Sequence, residues 1–243
     1  MSLNFIIEIV FGAFLFIFIF VNIRTITLFI FRYLFGNYSF QYVNLYKKYY
    51  VKNPFPPCIK EDLKIHCFNF VDKNPGMPLF KTDKMVAFGS FPFYAKFANV
   101  RKEFFPNCFN IYKLSEKDTV KIIGRRTEIL GIETKELYYF MNDIFFMGEH
   151  SFSDVSKTHT KELVGMLFSK YGMAETNSFE SFYIQDHNES LISFDNNGFS
   201  ITIQYINLGK TCINEVWNTY FKTSFRKEIF CSSDIKSVMF AKL

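Results

Sequence analysis

The first 22 residues of the chain contain no lysine or arginine, and residues 23–60 contain no aspartate or glutamate. The missing basic start, together with the missing small-x-small site after the apolar run, argues against a cleaved secretion signal. The motifs GxGxxG, GxxxxGKS/T, HExxH and GxSxG are also missing, so common nucleotide-binding loops, zinc proteases and serine hydrolases are unsupported. We therefore expect no enzyme activity, no cofactor and no metal ion.

The N-terminal segment is instead a long apolar run. It extends from Phe5 to Val21 with Glu8 as its one charge, and it is apolar on every helical face. About 20 residues of helix span a hydrocarbon core of about 30 Å. The run predicts a retained transmembrane helix within residues 1–35. Its expected lipid contacts are Phe5, Ile9, Phe14, Phe16, Phe18 and Phe20.

The charge pattern predicts an orientation. All charges between residues 23 and 60 are positive: Arg24, Arg32, Lys47, Lys48, Lys52 and Lys60. Because short positively charged flanks normally stay in the cytosol, we expect a single-pass protein of a bacterial cell (inner) membrane, with its N-terminus outside and its globular domain cytosolic. The alternative is a periplasmic domain, since large domains are translocated regardless of nearby charge.

Residues 23–35 lengthen the helix beyond what a bilayer requires. One interpretation is a tilted helix, with arginines that reach the inner interface. The other is an intramembrane interface, in which Leu28, Phe31 and Phe35 pack on neighbouring subunits. Glu8 is a functional-site candidate because it is ionisable within the span, but near the outer end it also reaches the headgroups at little cost.

Overall charge and cysteine content narrow the class of protein. The net charge of +5 reflects a mild excess of basic residues without a concentrated basic face, which argues against nucleic-acid binding. Five cysteines, an odd number without any CxxC pair, predict scattered free thiols in a reducing compartment.

After the anchor, the sequence divides into an arm and a domain. Residues 36–88 are aromatic and interrupted by Pro54, Pro56 and Pro57, so they predict an extended arm with short strands, such as one over residues 63–71. Residues 89–243 alternate helical and strand-like patterns.

Two amphipathic helices are predicted in this domain. The first begins with Ser90 as its N-cap and places Phe93, Phe97, Val100 and Phe104 on one face. The second has Thr158 or Thr160 as its N-cap and Gly172 after its end, with Leu163, Met166, Leu167 and Tyr171 on one face. A last helix over residues 215–225 turns Trp217 and Phe221 inward.

Strand-like segments follow each of the two helices, and two of their turns are evident. Asn142-Asp143 and Asn197-Gly198 are typical hairpin residues. The predicted fold class is therefore α+β, with a helix packed on an antiparallel sheet. The order of elements suggests two such units, as repeat halves 89–155 and 156–243.

Two groups of residues in the sequence have side chains suited to binding or catalysis. Arg125-Arg126 is suited to gripping an anion or contacting a partner, although such a pair also protects a solvated strand edge. Cys108 with His150 or His159 has the residue types of a nucleophile and its base, without a local signature.

Three functions remain after these exclusions. The favoured one is a non-catalytic subunit of a membrane-embedded assembly, whose partners are the lipid bilayer, other membrane-protein subunits and, as an option, further copies of the chain. The second is a membrane-anchored sensor whose soluble domain binds a small anion and drives oligomerisation. The third is an enzyme with an unrecognised site.

Overall fold

The computed structural model of the chain describes residues 3–59, 63, 77–104, 106–174 and 181–222, except the side chains of residues 3–10, 15 and 19. It forms two compact units, Met1–Pro56 and Pro57–Leu243. Apart from residue 63, the strand predicted over residues 63–71 lies outside the described residues, as does everything beyond residue 222.

The first unit contains two helices. Helix α1, Leu3–Phe35, ends at Gly36, whose φ of 82° is the left-handed conformation that favours glycine. Ser39 then caps α2, Phe40–Tyr50, by accepting a hydrogen bond from the Tyr42 N–H (3.1 Å). Residues 40–50 are therefore helical, where the sequence predicted part of an extended arm.

Helix α1 is bent. Among the described residues, no single straight helix combines the length and the apolar character that a bilayer crossing requires. Two pieces of α1, Phe11–Phe18 and Phe20–Phe35, do so only when taken together, and their axes differ by 57°. The transmembrane assignment of this segment thus stays a prediction.

The second unit is built on one sheet of eight strands in the order β1-β6-β7-β8-β5-β4-β3-β2. All neighbouring strands are antiparallel except β1 and β6, which are parallel. The strands are β1 Leu79–Lys81, β2 Cys108–Lys113, β3 Thr119–Ile129, β4 Ile132–Met141, β5 Ile144–Ser153, β6 Phe182–Gln185, β7 Leu191–Asn196 and β8 Ser200–Ile206.

The predicted α+β class is confirmed. Helix α3, Phe97–Phe104, precedes β2 to β5, and helix α4, Lys157–Tyr171, precedes β6 to β8. The two groups of strands join through the antiparallel β5–β8 pair, so both halves of the predicted repeat contribute to a single continuous sheet.

The predicted turns lie between strands. Asn142 and Asp143 join β4 to β5 with φ of 49° and 66°, and Gly198 lies in the turn from β7 to β8 with φ of 85°. A further tight turn, at Leu130 and Gly131 (φ 54° and 74°), joins β3 to β4 and was not predicted. Positive φ at both central residues matches the twist of a hairpin.

The two predicted helices of this domain begin elsewhere than expected. Helix α3 begins at Phe97 instead of near Ser90, because Tyr94 adopts φ of 70° and interrupts any helix there. Helix α4 is capped by Ser156, which accepts from the His159 N–H (3.2 Å), and not by a threonine. Gly172 ends α4 in the left-handed conformation, as predicted.

The sheet has two faces. Helices α3 and α4 cover the first, which we call the helical face: Phe97 of α3 packs on Phe140 with ring centroids 5.1 Å apart, and Phe168 of α4 on Phe182 at 5.3 Å. Met166, predicted to face the core, is instead exposed, because the buried stripe of α4 runs through Leu163, Val164, Leu167, Phe168 and Tyr171.

The other face, called here the second face, has an apolar end. Helix α5, Thr211–Trp217, continues into a π-helical turn, Asn218–Lys222, and buries Trp217 and Phe221 as predicted. Trp217 packs on Phe146 at 5.8 Å. This helix belongs to the same apolar cluster as the chain around Cys58 and Ile59.

Candidate functional site

Arg125 and Arg126 do not form one site. Because they are adjacent in β3, their side chains point to opposite faces of the sheet. On the helical face, Arg125 Nε donates to Glu136 Oε2 (2.9 Å); on the second face, Arg126 Nη1 donates to Glu133 Oε1 (2.5 Å). Each arginine has an acidic partner, and one small anion would not reach both guanidinium groups.

Glu136 is the centre of a charged cluster on the helical face. Its side chain is buried, and its Oε1 accepts a hydrogen bond from the Tyr138 hydroxyl (3.0 Å). His150 Nε2 lies 3.9 Å from the same oxygen, while Arg125 occupies the other oxygen. Register explains the grouping, since Glu136 lies directly opposite both Arg125 in β3 and His150 in β5.

Aromatic rings cover this cluster. Phe88 packs edge-on against Tyr138 (4.8 Å) and tilted against His150 (4.6 Å), and Phe104 of α3 lies under the Arg125 guanidinium at 4.5 Å. Gly89 allows the close approach of the covering loop, since a Cβ there would lie 2.5 Å from the Tyr138 hydroxyl oxygen. Glu136 and Tyr138 are consequently packed into the core of the helical face, while Arg125 lies at its exposed rim.

Glu136 is ionised and Tyr138 is protonated at neutral pH. Burial acts to raise the pKa of Glu136, but the neighbouring His150 and Arg125 outweigh it and hold the pKa of this carboxyl below its usual value. Burial and the adjacent carboxylate raise the pKa of Tyr138 far above its ordinary value. At neutral pH, Glu136 is therefore a permanent hydrogen-bond acceptor and Tyr138 a permanent donor, and their hydrogen bond stabilises the packing around them.

A second buried carboxylate, Glu149, lies on the second face. It is fully buried and accepts hydrogen bonds from Ser151 Oγ (2.6 Å), Tyr139 Oη (3.1 Å) and Gln204 Nε2 (2.9 Å). Neither Glu149 nor Glu136 was predicted as a site residue from the sequence. The available signal was an acid inside a strand that is otherwise apolar, as in "FFMGEHSF".

The polar end of the second face holds an open depression of about 240 Å³. Its lining carries two cations and two anions together with two hydroxyls, and therefore no net charge of either sign. The lining residues are Arg126, Glu133, Lys135, Ser151, Ser153 and Asp154.

The predicted nucleophile and base do not meet. Cys108 is bonded to Cys58 in a disulfide on the second face, whereas His150 and the helix α4 that carries His159 lie on the helical face. The prediction of free thiols was therefore wrong for Cys58 and Cys108, whose separation of 50 residues hides their proximity. Within the described ranges, no group of three or more histidine, cysteine or acidic residues has the arrangement of a metal site.

The predicted anchor and interface residues lie on α1. Phe14, Phe16, Phe18 and Phe20 are exposed, and the backbones of Phe5, Glu8 and Ile9 are helical, while their side chains lie outside the description. Of the predicted intramembrane face, Phe35 is exposed, Phe31 packs on Phe35 (5.4 Å), and Leu28 is buried.

Comparisons with family models, with curated proteins and with solved structures found no match to this chain.

Proposed function

We propose that the chain is a single-pass, membrane-anchored, non-catalytic subunit of a membrane-protein assembly, with the sheet domain as the part that binds partner proteins. The observation that carries this proposal is the row of exposed phenylalanines in residues 11–20 of α1, a stretch that contains no charged residue. Five phenylalanines of this stretch are between 53% and 72% accessible: Phe11, Phe14, Phe16, Phe18 and Phe20.

The magnitude favours a bilayer around these rings. Burying one large apolar side chain is worth about 1.5–3 kcal/mol. Five phenylalanines in water therefore forgo on the order of 10 kcal/mol, which is comparable to the whole stability of a typical domain. A hydrocarbon environment removes that cost. Because α1 meets the length and hydropathy criterion for a span only as a bent helix, we propose that it fits the bilayer by tilting or kinking.

The side chains of helix α2 favour a position at the membrane–water interface. Its exposed side chains are polar or charged, including Gln41, Asn44, Lys47 and Lys48, and Tyr42, Tyr46 and Tyr50 form a row of contacting rings. Tyrosine is enriched at both membrane–water interfaces, and lysine reaches the headgroups with its charged end. Since α2 contacts α1, and Leu28 and Val43 are buried in this unit, we infer that the C-terminal part of α1 lies at the headgroup level.

An apolar surface remains exposed on this part of α1. Phe29, Ile30, Tyr33 and Leu34 are between 47% and 83% accessible. At the headgroup level such a patch is better covered by protein than by lipid tails, so we propose it as the contact for another subunit. Leu28, one residue of the predicted intramembrane face, is buried within its own chain, so we propose this patch in its place; the contacts predicted for Phe31 and Phe35 stay a prediction.

Photocrosslinking in native membranes tests this proposal. A photoreactive phenylalanine analogue at Leu34 of the full chain should give a discrete protein adduct, identified by mass spectrometry. The same analogue at Phe16 is the matched control, because Phe16 lies in the segment proposed to face lipid. Equal, lipid-only labelling at both positions would refute the subunit contact.

The sensor alternative has a weaker basis in the depression on the second face. Arg126 and Lys135 contribute positive charge there, and Ser151 contributes a hydroxyl. Glu133 and Asp154 neutralise that charge, so we do not favour this site for a small anion.

A further inference from the structure

The Cys58–Cys108 pair bears on the compartment in which the sheet domain folds. The two Cα atoms are 5.0 Å apart, within the range of native disulfides. Cys58 precedes the sheet in sequence, whereas Cys108 begins the edge strand β2. The bond therefore fastens the entry of the chain into the sheet domain to the edge of the sheet.

The surroundings are shaped for this bond. Gly124 lies opposite Cys108 in β3, and a Cβ on it would lie 2.9 Å from the Cys108 Sγ and 2.3 Å from Leu137 Cδ2. Absence of a side chain at Gly124 thus leaves the space that the sulfur fills. Cys58 itself is 1% exposed and belongs to the apolar cluster of the second face.

Hydrogen bonds hold the same segment independently of the sulfurs. The Asn110 side-chain oxygen, on β2, accepts from the backbone N–H groups of Cys58 and Ile59 (3.2 Å for Ile59). Its amide nitrogen donates to the Tyr112 hydroxyl (3.1 Å), which fixes the orientation of the amide. The two sulfurs are consequently brought together by a built site, not by chance proximity of mobile loops.

We infer that the Cys58–Cys108 disulfide is a permanent structural bond of the mature protein and that the sheet domain lies on the non-cytosolic side of the membrane. Structural disulfides form and persist in oxidising compartments, whereas cytosolic thiols are kept reduced. The positive flank of residues 23–60 favours the opposite orientation, but charge bias does not prevent translocation of a large domain. The inference of the bond rests on the cysteine pair alone, and the location rests in addition on the proposed membrane anchor; neither depends on the proposed contact with another subunit.

A variant of the full chain with Cys67→Ser and Cys231→Ser tests both parts. It retains Cys58, Cys108 and the exposed free Cys212 as an internal reference. Cells are quenched with acid and denatured, and the thiols are then coupled to a maleimide polymer before or after reduction. The expected gel pattern is one added polymer before reduction and three after it.

The same variant reports the side of the membrane. A membrane-impermeant maleimide applied to intact cells, or to spheroplasts where an outer membrane is present, should label Cys212 without lysis. Three additions before reduction would show that the pair is not bonded and would overturn the inference. A bonded pair with Cys212 protected until lysis would overturn the non-cytosolic location.

Discussion

A methyl group added at Gly148 would test how the helical face is packed. Gly148 lies in the middle of β5, and the ring of Phe88 occupies the space above it. An added Cβ would lie 2.1 Å from Phe88 Cδ1 and 2.2 Å from its Cγ, far inside the usual carbon contact of about 3.5 Å. Both atoms belong to a rigid ring, so the clash requires the whole side chain to move.

Phe88 has little room to move. Its ring contacts those of Tyr138 (4.8 Å), His150 (4.6 Å) and Tyr205 (5.2 Å), and only 1% of the residue is exposed. Overpacking of a dense core typically costs about 1–3 kcal/mol, and we expect Gly148→Ala to lie near the upper end. That loss corresponds to a decrease in Tm of roughly 6–12 °C for a domain of this size.

The assay is urea unfolding of the full chain in mild detergent. Trp217 is the single tryptophan, and it is buried on the second face, so its fluorescence reports unfolding without being part of the substituted site. Gly165→Ala is the matched control: it lies in α4 with open space around its Cβ position, and should stabilise by about 0.5–1 kcal/mol.

A double-mutant cycle isolates the contact. In a Phe88→Ala background the added methyl has space, and Gly148→Ala should then cost almost nothing. The coupling free energy should therefore be about 2–3 kcal/mol. An equal cost in both backgrounds would show that the ring of Phe88 is not what excludes a side chain at Gly148, and the packing described for the helical face would be wrong.

Two further predictions concern Glu136 and the cap of α4. Because the pKa of Glu136 is lowered on folding, its contribution to stability is present above its unfolded pKa of about 4.3 and is lost as the pH falls through the folded value. Glu136→Gln should therefore decrease the free energy of unfolding by about 1–3 kcal/mol at pH 7 and by much less at pH 3. An equal decrease at both pH values would contradict the ion pairs. Ser156→Ala should decrease the free energy of unfolding by about 1 kcal/mol in the same assay, because it removes the N-cap of α4. Thr158→Ala should change it by less than about 0.5 kcal/mol. The reverse result would show that Thr158 is the N-cap.

Local patterns predicted much of the sheet domain. Turn residues such as Asn142 and Gly198 carry their conformation in their own chemistry, and the inward side of the last helix at Trp217 follows from its spacing. The start of α3 was placed too early because positive φ at Tyr94 is imposed by tertiary context, including a backbone bond from its N–H to the Phe145 carbonyl (2.8 Å).

The chemistry of the domain was less accessible from sequence. Adjacent residues of a strand point to opposite faces of the sheet. An anion site shared by Arg125 and Arg126 could therefore have been excluded from the sequence once β3 was assigned as a strand. The pairing of Cys58 with Cys108, in contrast, depends on where a proline-rich segment returns to an edge strand, and no local signal carries that information. Glu136 also finds Arg125 and His150 only through the register of three strands.

Helix α2 was missed for a different reason. Tyrosine, asparagine and valine are mediocre helix formers, so the composition of residues 40–50 favours no helix by propensity. The Ser39 cap and the contact with α1 supply what propensity lacks. Packing therefore determines that residues 40–50 are helical. The contact of α2 with α1 in turn changed which surface of α1 is proposed to bind a neighbouring subunit.

The most direct test of the proposed role is to determine which proteins purify together with the chain from the membrane. Membranes holding the tagged full chain would be solubilised with a styrene–maleic acid copolymer, which retains native lipid, and the purified discs analysed for protein content and mass. The proposal predicts that the chain is found in the membrane fraction and that its discs contain a second protein in a fixed ratio. This second protein should be lost from the discs when Phe29 and Leu34 are both changed to alanine, and it should be retained with Phe16→Ala. Recovery of the chain outside the membrane fraction, or alone in its discs, would contradict it.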